Sequence, residues 1–347
     1  MIPYDRLTDA GRLRRLARLG RTALARWPVD VASVRLLAEH TNAIFRVDTV
    51  DGARYALRVC APRQHSRDEH EIEADWTAAV AAQTPVRVPV PVRSRDGGFV
   101  VEASDPGVPE PRLCTLATWV PGRPIEESPA HFRLLGAAMA LLHVQALGYA
   151  PPAGLAPMVW DRAFYWVHEP VSVYDDHGLL GPDDVAAVRH AQVVVDATLA
   201  RLHADPAHPR RIIHADLHTD NAHVARGRLW VIDFEDLVVG VPAQDVASAL
   251  YPVRFREDFT LLAHALRDGY STVAPWPVED AGTLDVLVAA RALMLLNYCV
   301  NERSDPDLAA FVPVLAERVR RLVPGTGLPP ILHRSAGKAG QPLTESV

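Results

Sequence analysis

Residues 214–221 read His-Ala-Asp-Leu-His-Thr-Asp-Asn, and residues 231–236 read Val-Ile-Asp-Phe-Glu-Asp. Between these two stretches, short apolar runs flank an Arg-Gly pair at 226–227, which is typical of a β-hairpin with a tight turn. A hairpin returns the chain to the edge where it began. Asp233 is therefore expected beside Asn221, although twelve positions separate them.

The predicted strands of this hairpin are residues 222–225 and 229–232. An aspartate and an asparagine at its mouth offer the oxygen ligands that Mg²⁺ prefers, since this ion takes few protein ligands and completes its shell with phosphate and water. Asn221 and Asp233 are the predicted metal ligands. Asp216 lies one loop away, where its carboxylate is free to accept the proton of an attacking hydroxyl.

The order His-x-Asp-x-x-x-x-Asn, then a hydrophobic strand and an aspartate, resembles the protein-kinase-like phosphotransferases. The particular form in this chain is similar to the aminoglycoside phosphotransferase branch, which also includes choline, homoserine and stress-response kinases. A further aspartate of that branch matches Asp245, in Asp-Val-Ala at 245–247. The resemblance covers residues 30–322 and is strongest at 210–250.

The resemblance implies transfer of the γ-phosphoryl of ATP or GTP, with Mg²⁺, to a hydroxyl of a small molecule. Asp216 is then the catalytic base, and Asn221 and Asp233 hold the metal. Four more residues receive supporting roles: His214, which would hold the loop near Asp233, and His218, Glu235 and Asp245. For His218, an ordinary surface histidine is an equal alternative.

The implied fold is α+β and two-lobed, as in protein kinases. Residues 1–120 are the predicted nucleotide-binding lobe, with an N-terminal helix at 7–27, an antiparallel sheet and one further helix. Residues 121–324 are the predicted helical lobe, which carries the catalytic loop and the acceptor site. Residues 325–347, rich in Gly and polar residues, are predicted to be a disordered tail.

Within the small lobe, strands are predicted at 34–37, 44–47 and 54–59, and a helix at 67–82. Residues 86–92, which include Pro89 and Pro91, are expected to lead into an edge strand. Arg58 stands where the third strand of the resembling family presents a lysine to the phosphates. An arginine keeps the charge and can contact phosphate with two N–H groups.

Glu73 matches the helix glutamate that would orient Arg58, and Glu71 is the alternative. A surface arginine on an edge strand is the other interpretation of Arg58.

Two further stretches are predicted to bind the nucleotide. Thr41 and Asn42 stand in the first loop, where the Gly-x-Gly-x-x-Gly of protein kinases is missing; an ordinary turn asparagine is the alternative. The strand that ends at Thr118, Trp119 and Val120 resembles the hinge between lobes, where backbone groups would bind adenine.

The helical lobe is predicted from six apolar-periodic segments. They are residues 132–147, 183–203, 243–251, 259–268, 284–299 and 307–322. An aromatic cluster at 160–166 is interpreted as core packing, with an acceptor pocket as the alternative. The basic amphipathic helix at 7–27 is expected to pack on the small lobe, with a membrane or partner surface as the alternative.

Composition narrows the function class. The chain has 347 residues, 49% of them hydrophobic, which is enough for two cores. A net charge of −6 argues against nucleic acid as the main partner. Three scattered cysteines favour a reduced, cytoplasmic compartment, and no apolar run approaches the ~20 residues of a membrane span. The expected partners are a nucleotide and a small hydroxyl-bearing substrate, bound by a monomer or homodimer.

Three other functions stay open on the sequence. His214, Asp216, His218 and His223 offer ligands for zinc in a metal-dependent hydrolase. Arg58 and the missing glycine loop are compatible with a nucleotide-binding pseudokinase or regulatory module. A protein serine/threonine kinase of the stress-response type is the third alternative. Lysine occurs once, at Lys338, so a phosphate-binding lysine in the core is excluded.

Overall fold

The computed structural model describes residues 3–39 and 41–323. A short 3-10 turn, Tyr4–Arg6, precedes helix α1, Asp9–Leu24. Helix α2, Arg67–Gln83, follows the third of five strands. The strands are β1 (Val31–Glu39), β2 (Ala43–Thr49), β3 (Arg54–Val59), β4 (Val100–Ala103) and β5 (Arg112–Thr118).

These five strands form one antiparallel sheet in the order β1-β2-β3-β5-β4. Strand β2 alternates buried and half-buried residues, as expected when one face of a sheet covers a core. Helix α2 begins with a capping box in which Ser66 and Glu69 satisfy each other's backbone amides. The three predicted strands and the helix are confirmed.

The remaining elements are mostly helical, and all six predicted helices of this part are present. The elements are β6 (Arg123–Pro124), α3 (Pro129–Ala146), α4 (Pro182–Ala204), β7 (Arg211–Ile213), β8 (Ala222–Ala225), β9 (Arg228–Val231), β10 (Val238–Gly240), α5 (Pro242–Leu250), α6 (Phe259–Tyr270), α7 (Ala281–Asn301) and α8 (Pro306–Leu322). The α+β, two-lobed fold class is therefore confirmed.

One expectation is wrong. Residues 86–92 were expected to lead into an edge strand, but they make only isolated bridges to Trp230 and Ala117, and the next strand along the chain is β4. Pro89 and Pro91 have no amide hydrogen to donate, so a continuous ladder cannot form along this stretch.

Helix α1 packs on the sheet, as expected from its apolar side. Leu19, Leu24 and Trp27 are buried in one cluster with Phe45 and Leu57 of the strands. The small lobe itself covers the apolar face of this helix, so the structure favours packing on the lobe over a membrane or partner surface.

Helix α2 connects the small lobe to the active-site segment. Its Ile72 and Trp76 belong to a cluster that includes Phe132 of α3 and Phe234. The rings of Trp76 and Phe234 meet edge to face, with centroids 5.5 Å apart. The boundary placed at residue 120 stays a prediction, and the predicted tail at 325–347, with Lys338, lies outside the described residues.

Helix α7 departs from one expectation. By length and composition alone it could cross a membrane, although no such segment was predicted. In the structure, however, 72% of its most apolar window is buried, and it packs against α4, α5 and α8. Such burial is typical of the central helix of a core.

Candidate active site

The predicted hairpin is present and carries the site. Strands β8 and β9 pair antiparallel across Arg226 and Gly227, whose φ angles of 50° and 72° suit a tight hairpin turn. The amide of Ile232 donates to the carbonyl of Asn221 at 2.9 Å. Asn221 therefore lies beside the strand end that leads into Asp233, as the spacing predicted.

Two residues of the site have backbones in the left-handed region. Ala215 has φ 65° and Asp233 has φ 64°, and such conformations cost about 1–3 kcal/mol each for residues with a side chain. Asp245 stabilises the first, because its carboxylate accepts from the amides of His214 at 3.0 Å and Ala215 at 2.6 Å. The hydroxyl of Ser248 donates to the Ala215 carbonyl at 2.7 Å.

Asp245 is itself held by a buried histidine. His143 Nε2 lies 2.9 Å from Asp245 Oδ2, and His143 Nδ1 lies 2.9 Å from the hydroxyl of Tyr270. This chain links helices α3, α5 and α6 to the backbone that presents Asp216. Asp245 thus supports the loop, and His143 is a hydrogen-bonded core histidine.

His214 ties the catalytic loop to the hairpin. Its Nε2 lies 3.0 Å from the carbonyl of Ile232, and its ring packs on Phe234 with centroids 4.7 Å apart. Burial lowers the pKa of His214, so the ring is neutral and Nε2 carries the donated hydrogen. The predicted contact with the backbone near Asp233 is present.

Asp216 is held on both carboxylate oxygens. Asn221 Nδ2 donates to Asp216 Oδ2 at 2.9 Å, and Arg291 forms an ion pair with Oδ1. His218 Nε2 lies 3.5 Å from Oδ2. Burial alone would raise the pKa of Asp216, but Arg291 and His218 outweigh it and lower this pKa, so the carboxylate is ionised.

Asn221 and Asp233 present oxygen atoms that fit a divalent cation. Because the Asn221 amide nitrogen donates to Asp216, its Oδ1 remains as an acceptor. Asp233 keeps an exposed surface, yet the protein around its carboxyl group and the nearby Glu235 raise its pKa to about 7. A cation would relieve this crowding of negative charge. Metal binding at these two residues stays a prediction.

Arg58 lies on the central strand β3 and not at a sheet edge, so the edge-strand interpretation is wrong. It forms an ion pair with Glu73 and a second one with Glu235, at 3.1 Å. Burial alone would raise the pKa of Glu73, but Arg58 and His70 hold it at about 2. The predicted Arg58–Glu73 pair is present.

Glu71, the alternative partner, has a different task. Its carboxylate accepts from the amides of Phe99 and Val100, at 3.1 and 3.0 Å, and so fixes the start of β4.

Asn42 is more than an ordinary turn residue. Its Nδ2 donates to Glu235 Oε2 at 2.7 Å, and its Oδ1 accepts from the amide of Ala61 at 2.8 Å. These bonds tie the loop between β1 and β2 to the segment that follows Asp233. Thr41 lines the cavity described below. Phosphate binding by Thr41 and Asn42 stays a prediction.

At the predicted hinge, two backbone amides already donate hydrogen bonds within the small lobe. The Thr118 amide donates to the Val90 carbonyl at 2.9 Å, and the Trp119 amide donates to the Arg54 carbonyl at 3.0 Å. An adenine base would therefore meet the carbonyl oxygens of this stretch or the amide of Val120. Nucleotide binding by these residues stays a prediction.

A cavity of about 940 Å³ opens beside the catalytic residues. Carboxylates outnumber cations in its lining, and two aromatic rings contribute to the wall. The carboxylates are Glu169, Glu235, Asp236, Glu302, Asp305 and Asp307; the cations are Arg63 and Arg291; the rings are Trp166 and Tyr298. Such a lining favours a positively charged ligand.

The aromatic cluster divides between the two interpretations given for it. Trp160 and Tyr165 are buried in the helical core and stack with centroids 5.2 Å apart. Trp166 instead lines the cavity and meets His65 of the small lobe edge to face at 4.9 Å. Core packing therefore describes two of these rings, and a third lies in the wall of the cavity; acceptor binding there stays a prediction.

The segment 166–173 crosses from one lobe to the other. His168 Nε2 lies 3.0 Å from Glu69 Oε2 at the start of α2. At its other end, the amide of Ser172 donates to Asn297 Oδ1 of α7 at 2.9 Å. This segment therefore forms a wall of the cavity that is anchored on both lobes.

Two residues of the site were missed from the sequence. Arg291 is 8% exposed on α7, and Asp236 lines the cavity with its pKa raised by burial and by the neighbouring Asp216. A single charge within an otherwise apolar helical stretch was the available signal for Arg291, since a buried guanidinium requires a partner.

The zinc interpretation has no support in the described part of the chain. In that part, one group of His, Cys, Asp or Glu side chains is close enough to share an ion. It consists of Asp205, His208 and Glu279. It contains none of the residues proposed for zinc, and His214 Nε2 is engaged with a carbonyl.

Comparison with known sequences agrees with this geometry. The homoserine kinase of Acidiphilium cryptum is 32% identical over 230 residues, which are 63% of this chain and 66% of that protein. The homoserine kinase of Gluconobacter oxydans is 29% identical over 215 residues, 60% of this chain and 63% of that protein. The chain thus spans slightly less than two thirds of the length of these relatives.

Solved structures share the fold. A microcompartment-associated aminopropanol kinase is 26% identical, with a TM-score of 0.75, over 88% of this chain and 96% of that one. An amicoumacin kinase bound to AMP-PNP and Ca²⁺ has a TM-score of 0.72 at 18% identity, over 92% and 98% of the two chains. At that identity the likeness shows the fold alone.

The family prediction is confirmed by a match over most of the chain. The model of the phosphotransferase enzyme family matches residues 33–281. This range contains the catalytic loop, the hairpin and the small-lobe sheet. The chain belongs to the phosphotransferase enzyme family.

Proposed function

We propose that this protein transfers the γ-phosphoryl group of a Mg²⁺-bound nucleoside triphosphate to a hydroxyl of a small, amine-bearing acceptor. The observation that carries the proposal is the ionised carboxylate of Asp216, held by Asn221 and Arg291 next to the cavity. A binding module has no need of a fixed, ionised base at this point.

The nucleotide side is supported by the surroundings of Arg58. Its Nη1 donates one N–H to Glu235, and its Nη2 pairs with Glu73. A phosphate oxygen would accept from the second N–H of Nη1. Arg58 is thus the proposed phosphate ligand in place of lysine.

The metal would be held by Asn221 Oδ1 and the carboxylate of Asp233. When bound, Mg²⁺ neutralises charge on the phosphates and orients them for transfer. The chain's own part is to keep both side chains in place: the hairpin fixes Asn221, and the hydrogen bond from the His214 ring to the Ile232 carbonyl fixes the segment before Asp233.

In the proposed reaction, the acceptor oxygen forms a bond to the γ-phosphorus while the bond from that phosphorus to the bridging oxygen breaks. The nucleoside diphosphate leaves, and the hydroxyl proton passes to Asp216. Catalysis rests on positioning and on charge neutralisation, as is general for phosphoryl transfer.

The acceptor class follows from the cavity. Its excess of carboxylates over arginines favours a cation, and Trp166 and Tyr298 offer ring faces to an ammonium group. Homoserine and aminopropanol, which appear in the names of the related kinases, are both amine-bearing alcohols. We therefore expect a primary or secondary amine on the acceptor.

A cytoplasmic location is part of the proposal. Cys60, Cys114 and Cys299 are all free and buried, which suits a reducing compartment.

The proposal is tested by release of nucleoside diphosphate from ATP or GTP with Mg²⁺ and a panel of acceptors. The panel contains ethanolamine, 3-aminopropanol, 4-aminobutanol, homoserine and an aminoglycoside, with matched alcohols that lack the amine. We expect release that depends on an amine-bearing acceptor. Nucleotide binding without acceptor-dependent release would favour the pseudokinase alternative.

A further inference from the structure

Arg291 is an unusual residue for its position. It lies on the apolar, buried helix α7, where a charged side chain is costly unless it is paired. An arginine with a purely structural task would pair within the helical core. Arg291 instead forms an ion pair with Asp216 Oδ1 and also lines the cavity.

Arg291 is the arginine that reaches Asp216. Arg58 is committed to Glu73 and Glu235 on the small-lobe side. Among the described residues, Arg291 is the arginine in contact with Asp216, so it holds this carboxylate in place.

The two contacts to Asp216 act from different sides. Arg291 holds Oδ1 and Asn221 Nδ2 holds Oδ2, so rotation of the carboxylate is restricted. Oδ2 is also approached by His218 Nε2, whereas Arg291 uses one of the two lone pairs of Oδ1 and leaves the other for the hydroxyl of an acceptor. Since misplacement of a catalytic group by about 1 Å costs about 10²-fold in rate, this restraint matters for turnover.

We propose that Arg291 is the positioning residue of the transfer step, acting through its direct contact with Asp216 from helix α7. The inference rests on the proposed function and adds a residue from a distant helix to the machinery that the hairpin carries. Arg291 is expected to affect turnover and not nucleotide binding, because its contact is with the base and not with Arg58 or Asp233.

The test compares Arg291→Met and Arg291→Lys with a matched control, Arg254→Met. Arg254 is also a buried arginine of this lobe, 3% exposed, and pairs with Asp285 of α7 at 2.7 and 2.9 Å. Arg254→Met removes an ion pair with Asp285 of helix α7, the helix that carries Arg291, and leaves the contacts of Asp216 in place. Each variant is assayed with ATP, Mg²⁺ and the amino alcohols of the panel, and its melting temperature is measured.

We expect Arg291→Met to lower kcat about 100-fold, with KM for ATP and for the acceptor within about threefold of the parent. Arg291→Lys keeps the charge but loses the fork, so its kcat should fall about 10-fold. In Arg291→Ala, added guanidinium at low millimolar concentration should restore part of kcat. Arg254→Met should keep the parent kcat, whatever its melting temperature.

Several results would overturn the inference. One is a kcat of Arg291→Met within twofold of the parent, and another is an equal loss of kcat in Arg254→Met. A third is an effect of Arg291→Met on the acceptor KM alone, because Arg291 would then be an acceptor ligand. If Arg291→Met does not fold, a parent-like kcat in folded Arg291→Lys overturns it. A parent that transfers to no acceptor overturns the proposed function as well, whereas an active parent with an unaffected variant overturns this inference alone.

Discussion

Each lobe contains a largely buried arginine–carboxylate pair. Arg58 pairs with Glu73, and the two side chains are 13% and 14% exposed. Arg291 pairs with Asp216, and these side chains are 10% and 17% exposed. The first pair was predicted from the sequence and the second was missed.

The difference lies in how each pair is encoded. Arg58 and Glu73 are 15 positions apart, on a strand and on the helix that follows it, so a local pattern places them together. Arg291 and Asp216 are 75 positions apart, with helices α5 and α6 between them in sequence. The pair on the proposed nucleotide side thus comes from a local pattern, and the pair beside the cavity from the packing of the helical lobe.

The largest expected effect is at Asp216, the proposed catalytic base. Asp216→Asn should lower turnover about 10²–10⁴-fold, because an amide cannot accept the hydroxyl proton. Nucleotide affinity should change little. The matched control is Asp220→Asn, which alters a 79% exposed carboxylate of the same loop and should keep full turnover. Full turnover in Asp216→Asn would remove Asp216 from its role.

The next effect isolates the hairpin. Asp233→Ala should weaken binding of the Mg²⁺–nucleotide complex about 100-fold, since Asp233 is the proposed charged ligand of the metal. Calorimetry with and without Mg²⁺ measures this change, and nucleotide binding without metal should be little affected. Parent-like affinity for the Mg²⁺ complex would place the metal elsewhere.

A smaller effect tests the local pair on the nucleotide side. Arg58→Ala should lower nucleotide affinity and turnover together, about 10-fold, and Glu73→Ala should do so more mildly because it leaves the charge. The double variant should be non-additive by about 0.5–3 kcal/mol, as for residues that act through one contact. Strict additivity of the two changes would show that Glu73 does not orient Arg58.

Arg58→Lys sharpens this comparison. It keeps the charge and loses the two-pronged contact, so intermediate activity is expected. Parent-like activity in Arg58→Ala would mean that the phosphates are held elsewhere.

The smallest effect concerns stability at the junction between the lobes, where His65 meets Trp166. Burial lowers the pKa of His65 to about 4, below its ordinary value of 6.5. The folded protein therefore binds this proton less readily than the unfolded chain does. The free energy of unfolding therefore keeps its full value, as far as His65 is concerned, above pH 6.5. It decreases as the pH falls toward 4, by about 1 kcal/mol at pH 5.5.

Urea unfolding at pH 7.5 and 5.5 measures this loss. His65→Phe keeps a ring against Trp166, and it should reduce the loss of unfolding free energy at pH 5.5 by about 1 kcal/mol. The control His264→Gln, at an exposed site, should show the same loss as the parent. An equal acid loss in the parent and in His65→Phe would show that other groups cause it.

The sequence was informative where a short pattern and its fold coincide. The hairpin at 222–232 was predicted because its turn pair and apolar runs are local, and Asn221 and Asp233 followed from it. The expectation that residues 86–92 lead into an edge strand was wrong, since this stretch makes only isolated bridges. Its two prolines lack the amide hydrogens that a continuous ladder needs.

The acceptor side could not be predicted for a different reason. The cavity combines residues of the loop at 41, the segment 166–170 and helices α7 and α8, which no spacing rule relates. Trp166 and its neighbour Tyr165 look alike in sequence, yet one lines the cavity and the other is fully buried. Only the packing of the lobe distinguishes them.

The central claim is direct transfer to an acceptor hydroxyl, and ³¹P NMR of the reaction products tests it most directly. Parent protein, Mg²⁺, ATP and 3-aminopropanol, or the other amino alcohols of the panel, should give a phosphate monoester in amounts equal to the ADP formed. Asp216→Asn should give almost none in the same time, and Asp220→Asn as much as the parent. Inorganic phosphate in place of a monoester, or equal monoester from Asp216→Asn, would contradict the account.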